Sequence, residues 1–452
     1  MNAEPKTFRM VSLGCPKNLV DSEVMAGALL QAGWALVDDG PAQIAVVNTC
    51  AFLTDAAEES VAVILEQIES KNEGEIEKLI VTGCLPERYR QDLADELTEL
   101  DAVIGAEDFY RIAEIAEEVM RKGDRPVLLS DKQYLYDADT ARLLSTPPWR
   151  AYLKLAEGCD NRCSYCLIGT LRGPYRSRIA DSVIEEAHNL CDMGVREITL
   201  VAQDISYFGS DRPGGEGLAE LILRLNETEG LRWLRLLYAH PAHLTVPMLE
   251  AMAAADKVVH YLDLPLQHIA DPLLKSMNRK TTTAKTIELL DAARRLMPDI
   301  VLRTTFITGL PGETEADFET LMTFLGEQRF HQVGAFAFSP EEQTPAFSME
   351  PKVPPELAQE RRDALMAAQQ EIAAQRWRER IGETVDILLE EQLHAEVEED
   401  FNMVGRFYGQ APEIDGVTFC RVDSAAKPGQ FVSLTITDAT EYDLFAEENP
   451  DD

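Results

Sequence analysis

Along the chain, short apolar runs alternate with stretches whose apolar residues recur at helical spacing, and the character of this alternation changes twice. Apolar runs of strand length at residues 8–13, 43–47 and 78–81 are each followed by an amphipathic stretch, at 19–31, 55–70 and 86–97. Strand-then-helix repeats predict βαβ units and an open parallel sheet. A second series begins after the Pro147-Pro148 linker, with strands expected at 151–156, 197–201, 233–237, 258–262, 301–307 and 333–338. Helical patterns lie between them, among others at 182–191, 218–225, 283–296 and 315–325. Six such units predict a partial TIM-like (β/α)6 barrel. Residues 354–380 read as one long helix closing it. From Gly382 onward the runs at 384–389, 402–408, 417–422 and 431–437 are short and punctuated by Gly and Pro, which predicts a small antiparallel β-barrel. The expected fold class is α/β, with domains at 1–145, 146–380 and 381–446 and an acidic tail at 447–452.

The cysteines fall where strand gives way to helix. In the first third, the strand runs lead to Gly14-Cys15, Asn48-Thr49-Cys50 and Thr82-Gly83-Cys84. A residue just past a strand lies on the carboxyl edge of a parallel sheet, where open α/β folds bind ligands. One cysteine there reads as a small buried residue. Three at equivalent places point to a shared metal site with three ligands. The loop after residues 151–156 holds Cys159, Cys163 and Cys166 in the spacing C-x3-C-x2-C, with Tyr165 before the last. Zinc would need a fourth ligand, and the next candidates, His188 and Cys191, stand outside knuckle spacing. Thiolates suit iron–sulfur clusters, and three of them on a four-iron cluster leave one iron open to a substrate. Cys191 and Cys420 read as structural. The later barrel strands lead to Gln203-Asp204, His240-Pro241, Gln267-His268, residues 309–313 and Ser339-Pro340, which would ring the cluster on the carboxyl face. His240 and His268 fit hydrogen-bonded wall residues equally well, and neither is taken as a ligand.

Composition narrows the picture further. At 452 residues the chain is long enough for two or three domains, and a hydrophobic fraction of 45% is ample for their cores. Eight cysteines are too sparse for a disulfide framework, residues 1–20 carry no apolar signal core, and the chain is expected in the cytoplasm with reduced thiols. No apolar run approaches the roughly 20 residues needed to span a bilayer, so no membrane partner is expected. Acidic residues outnumber basic ones by 79 to 42, a formal net charge of −37. Such a polyanion is repelled by phosphate backbones and attracts basic partners, although excess acid also serves solubility or a salt-adapted host.

The C-x3-C-x2-C loop with its aromatic residue resembles the signature of the radical S-adenosylmethionine (SAM) superfamily. Together with residues 11–18 (VSLGCPKN), Asn48-Thr49-Cys50 and Thr82-Gly83-Cys84, it resembles the RimO-type methylthiotransferases, which modify an aspartate of the twelfth small-subunit ribosomal protein. Residues 234–241, 264–279 and 309–313 resemble that family as well, and the carboxyl-terminal barrel resembles a TRAM domain. The resemblance implies two 4Fe-4S clusters, a catalytic one on Cys159, Cys163 and Cys166 and an auxiliary one on Cys15, Cys50 and Cys84. It also implies two SAM molecules, one as methyl donor and one as source of a 5′-deoxyadenosyl radical. Tyr165, Gln203, Gln267, Arg303 and Gly309 are candidate cofactor contacts, and Arg172, Arg176 and Arg178 would hold SAM or a substrate carboxylate unless solvated. Expected partners are the basic small-subunit ribosomal protein, or the subunit carrying it, and a reductant such as flavodoxin. Nucleic acid is not expected as the direct substrate: from Glu383 to Asp452 there are 18 acidic residues, including Glu396, Glu398, Glu399 and Asp400, against Arg406, Arg421 and Lys427. The rival readings are a tRNA methylthiotransferase of the MiaB type and a non-catalytic iron–sulfur carrier. Two departures from the family pattern stand near the site: Gly169-Thr170 follow Ile168 where a proline is common, and Leu310 replaces a frequent aromatic.

Overall fold

The structure is a computed structural model that describes residues 6–122, 125–393 and 401–448. Its amino-terminal strands are β1 (Lys6–Ser12), β2 (Trp34–Leu36), β3 (Ala42–Thr49), β4 (Ile76–Gly83), β5 (Ala102–Ile104) and β6 (Val127–Leu128). They lie in the order β2-β1-β3-β4-β5-β6, all parallel. β3 and β4 are almost wholly buried and so read as continuous apolar runs. β2, β5 and β6 have two or three residues each, too few for a period to show. The strand order reverses between β1 and β3, so the loops bearing Cys15 and Cys50 face one another across the sheet's switch point.

The central strands are β7 (Arg150–Lys154), β8 (Ala156–Glu157), β9 (Arg176–Ser177), β10 (Glu197–Val201), β11 (Trp233–Leu236), β12 (Tyr261–Asp263), β13 (Val301–Thr308) and β14 (Gln332–Ala337). Parallel β7, β10 and β11 form one sheet and parallel β12, β13 and β14 another, and a bridge between Leu234 and Val258 joins them into an open barrel. The strand expected at 258–262 starts late because the Tyr261 N–H is spent on the Val259 carbonyl at 2.7 Å in a tight turn. The strand expected at 151–156 breaks at Leu155, whose N–H goes to the Val201 carbonyl and whose carbonyl takes the Arg178 N–H, each at 2.9 Å. Ala156 and Glu157 then pair antiparallel with β9. The cysteine loop is therefore the turn of a two-stranded ribbon standing on the barrel's carboxyl edge. The long helix, Pro355–Arg378, covers β13 and β14.

The carboxyl-terminal strands β15 (Thr384–Gln392), β16 (Met403–Phe407), β17 (Thr418–Arg421), β18 (Phe431–Ala439) and β19 (Leu444–Glu447) close into a barrel in the order β15-β16-β17-β19-β18. The expected antiparallel arrangement holds except at β17 and β19, which run parallel. β19 has no counterpart in the sequence expectation, and the acidic tail accordingly starts later than Glu447, which ends that strand and pairs with Arg421 at 3.2 Å. Glu396, Glu398, Glu399, Asp400 and residues 449–452 lie outside the described residues. Among the described residues no helix is long and apolar enough to cross a membrane.

The small barrel docks on the amino ends of the central strands through a buried ion cluster. Glu197, the first residue of β10, meets Arg235 at 2.9 Å and Arg406 at 2.6 Å, and all three are at most 2% exposed. Burial alone would raise the Glu197 carboxyl, but the guanidinium groups of Arg406 and Arg235 hold it down at about 2. Glu197→Ala leaves the buried Arg235 without its carboxylate and Arg406 with Glu390 alone, and urea unfolding should show a loss of about 3–5 kcal/mol. Since the native carboxyl titrates below its ordinary 4.5, the wild-type advantage is full above that pH and disappears as pH falls toward 2.

Candidate functional site

Cys15 caps the helix Pro16–Gln31, Cys50 follows β3, and Cys84 opens the helix Cys84–Glu96. The polar residues beside them lock the three loops together. Asn18 donates from its backbone to the Cys15 carbonyl (2.9 Å) and from Nδ2 to the Leu13 carbonyl (2.6 Å), and Asn48 Nδ2 donates to the Asn18 carbonyl (2.8 Å). Ser60 Oγ accepts the Cys50 N–H (3.1 Å) and donates to the Cys50 carbonyl (2.7 Å). Gly14 has φ +89°, and a Cβ there would stand 2.7 Å from Cys50 Cβ. Gly83, at φ +97°, would press 2.5 Å from Asn48 Oδ1. Only glycine lets these loops meet. Burial pushes the Cys50 thiol up to about 11, with added repulsion from Cys84 and Cys15, so the three sulfurs share one environment.

The second triad lies in a cavity of about 400 Å3 lined by Cys159, Cys163 and Cys166, with Asp160, Arg162 and Gln343 at its wall. The Cys159 N–H is held by the Gly173 carbonyl at 3.0 Å, the Ser164 N–H by the Met277 carbonyl at 3.0 Å, and the Cys166 N–H by the Cys163 carbonyl at 3.1 Å. Burial pushes the Cys159 thiol up to about 11 and the Cys166 thiol to about 12. Without a cation such thiols stay protonated, and a soft metal would displace the protons. In donor set both triads fit an iron–sulfur cluster better than a single ion that needs four ligands, and the cavity at the second triad offers room for one. Gly158 begins the turn with φ +73°, and a Cβ there would fall 2.0 Å from the Pro174 carbonyl oxygen. Gly158→Ala should thus displace Cys159, and reconstituted protein should lose visible iron–sulfur absorbance at this triad while still melting cooperatively.

Tyr165 packs on Ala270, Leu273, Met277 and Leu310, and its hydroxyl lies 3.4 Å from Arg279 Nη1. That nitrogen is also 3.8 Å from Cys163 Sγ. Arg279 is not among the candidate site residues of the sequence, where it is marked only as the last residue of the family-like stretch 264–279. Gln203, Gln267, Arg303 and Gly309 do not line the cysteine cavity. The Gln203 Oε1 is buried without a partner among the described residues. Gln267, at φ +70°, bonds through both backbone groups to β13. Arg303 pairs with Asp263 at 3.0 Å and Asp415 at 3.4 Å. Gly309 gives its N–H to Glu313 at 2.7 Å, and its Cβ position would meet Ala358 at 2.1 Å. None of Arg172, Arg176 and Arg178 is free or solvated: they pair with Asp21, Glu107 and Glu186. The partners of Arg172 and Arg176 come from distant segments, which hid those pairings, whereas Glu186 lies eight residues after Arg178. His240 and His268 each accept a backbone N–H two residues on, as wall residues do. Asp204 gathers Asn161 Nδ2 at 2.8 Å and His243 Nδ1 at 2.7 Å, a cluster foreshadowed only by its place just past β10. Cys191 and Cys420 are core residues.

The two triads stand on facing surfaces. Leu167 and Leu171, just after Cys166, pack into the same core as Ala51, Cys84 and Leu85. Gln343 of the cavity wall donates to the Arg88 carbonyl at 3.1 Å, and Arg88 itself reaches Ala51 and Glu341. Residues 153–325 match the Radical SAM superfamily, residues 7–105 the Uncharacterized protein family UPF0004, and residues 381–448 the TRAM domain. The ribosomal protein uS12 methylthiotransferase RimO of Geobacter sulfurreducens is 45% identical over 447 residues, 99% of each chain. This chain belongs to the RimO family of methylthiotransferases. The RimO of Clostridioides difficile is 41% identical over 437 residues, 96% of this chain and 97% of the relative. Among solved structures, the radical S-adenosylmethionine methyltransferase TsrM of Kitasatospora setae aligns with a TM-score of 0.58 at 15% identity, covering 76% of this chain and 74% of its own. That likeness extends to the fold. The protein is a radical SAM enzyme and a methylthiotransferase.

Proposed function

We propose that this protein adds a methylthio group to the β-carbon of an aspartate in ribosomal protein uS12. One 4Fe-4S cluster would be held by Cys159, Cys163 and Cys166, a second by Cys15, Cys50 and Cys84, and two SAM molecules would be used, one as methyl donor and one as radical source. The reading is supported by two cysteine triads, one just past β1, β3 and β4 and one lining the barrel cavity, and it assigns them to domains at 1–145 and 146–380, with the small barrel at 381–446. Bound at the barrel triad, the cluster and SAM supply a radical able to abstract hydrogen from an unactivated carbon. The chain's own residues position and enclose that chemistry. Gly173 and Met277 fix the cysteine loop through its backbone, Arg279 places a buried charge beside Cys163, and Leu167 and Leu171 bury the chain after Cys166 in one core with Ala51, Cys84 and Leu85.

The charge distribution supports a basic protein partner over RNA. In the small barrel Arg406 is buried on Glu197, Arg421 lies against Glu447, and Lys427 is exposed. A TRAM-like domain without a basic face binds phosphate backbones poorly. The reading places the protein in the cytoplasm, with the small-subunit protein or its subunit as substrate and a reductant such as flavodoxin. Anaerobically reconstituted protein, given SAM, a reductant and a peptide from uS12, should put a methylthio group on one aspartate by mass spectrometry. Modification of a tRNA adenosine instead would replace this reading with the tRNA one. No SAM cleavage at all would leave an iron–sulfur carrier.

A further inference from the structure

We infer that Arg172 is a positioning residue for the site of Cys15, Cys50 and Cys84, supplied from the opposite domain, and that its fixed charge favours the reduced state of a cluster held there. The inference rests on the two-cluster reading above. Arg172 follows the barrel triad in sequence, yet its side chain leaves that loop and enters the amino-terminal domain. It is 2% exposed, with Nη1 donating to Asp21 Oδ2 and Nη2 to Asn18 Oδ1, both at 2.7 Å. Burial raises the Cys84 thiol, and the charge of the Arg172 guanidinium opposes that rise. Asn18 is the residue that brackets the Cys15 loop, and its Nδ2 reaches the Thr49 carbonyl at 3.2 Å as well. Arg172 is thus tied through Asn18 to the Cys15 and Cys50 loops, and its charge acts on the Cys84 thiol.

An arginine does not lose its proton in a protein, so this is a permanent cation. Asp21 and Glu157 are shared with the buried ammonium of Lys154, so two carboxylates face two cations, and Arg172 is the cation at the sulfur. Reduction adds one electron to a cluster, and net charge and hydrogen bonds to sulfur set its potential. The neighbouring residue completes the link: the Gly173 carbonyl holds the Cys159 N–H at 3.0 Å. One two-residue segment therefore touches both triads.

The test uses the full chain with Cys159, Cys163 and Cys166 changed to alanine, so that iron bound after reconstitution reports the amino-terminal triad alone. Redox titration followed by electron paramagnetic resonance gives its midpoint with Arg172, Arg172→Lys and Arg172→Gln. Arg172→Gln should shift the reduction equilibrium at least about tenfold against the reduced form, about 59 mV for one electron. Arg172→Lys, which keeps the charge, should recover most of that shift. A midpoint unmoved by Arg172→Gln, or moved equally by both variants, overturns the inference. Should Arg172→Gln lose its iron, retention by Arg172→Lys at a near-native midpoint supports the inference, and loss from both variants overturns it as a merely structural effect. Absence of iron while Arg172 is intact would instead defeat the two-cluster reading, and this inference with it.

Discussion

Changing Cys15, Cys50 and Cys84 together to alanine is expected to abolish methylthio transfer while SAM is still cleaved to 5′-deoxyadenosine. The reasoning lies in the architecture. The three amino-terminal loops hang on their own parallel sheet and are locked by Asn18, Asn48 and Ser60, none of which belongs to the barrel. The barrel triad is held by the ribbon of β8 and β9 and by Met277. Each triad is held mainly by its own elements, with the segment of Arg172 and Gly173 reaching both, so losing the amino-terminal thiols leaves the supports of the barrel triad in place. Liquid chromatography of the reaction should therefore find 5′-deoxyadenosine near wild-type yield and no modified uS12 peptide. Equal loss of both products would mean that the amino-terminal triad serves SAM cleavage itself.

The complementary change has the larger reach. Cys166→Ala alone should reduce 5′-deoxyadenosine to the protein-free background and abolish transfer with it, because a three-thiolate site has no spare ligand. Cys191, the next cysteine along the chain, is buried in the barrel core and cannot substitute. Iron should fall by about half, to about four per chain, since the other triad remains intact. The fold should hold, because the Cys166 side chain is only partly buried and its loop is fixed through backbone bonds at Cys159 and Ser164.

Much of this site was legible before the structure because its chemistry is tied to strand ends. β1, β3 and β4 are long apolar runs, so the cysteines just past them could be placed on one sheet edge. The barrel strands at 197–201, 233–236 and 301–308 carry the same kind of signal. What stayed hidden has a physical cause in each case. β2, β5, β6 and β19 are two to four residues long, below the length at which alternation shows. The ribbon of β8 and β9 depends on a single residue, Leu155, splitting its backbone bonds between two partners. The arginines near the cysteines looked available because their carboxylate partners, such as Asp21 for Arg172 and Glu107 for Arg176, lie far away in sequence. Asp204, His243 and Asn161 likewise converge only once the barrel curves. Glycines were informative where the chain crowds: Gly14, Gly83 and Gly158 precede three of the six cysteines, each at a positive φ that lets a cysteine loop pass close to another segment.

The central claim is that six thiols form two independent clusters, and iron and sulfide analysis with Mössbauer spectroscopy on the anaerobically reconstituted chain tests it most directly. Wild-type protein should hold about eight irons as two 4Fe-4S clusters, and each triple-alanine variant, of Cys15, Cys50 and Cys84 or of Cys159, Cys163 and Cys166, about four. About four irons in the wild type, or a count that neither variant changes, would contradict the account.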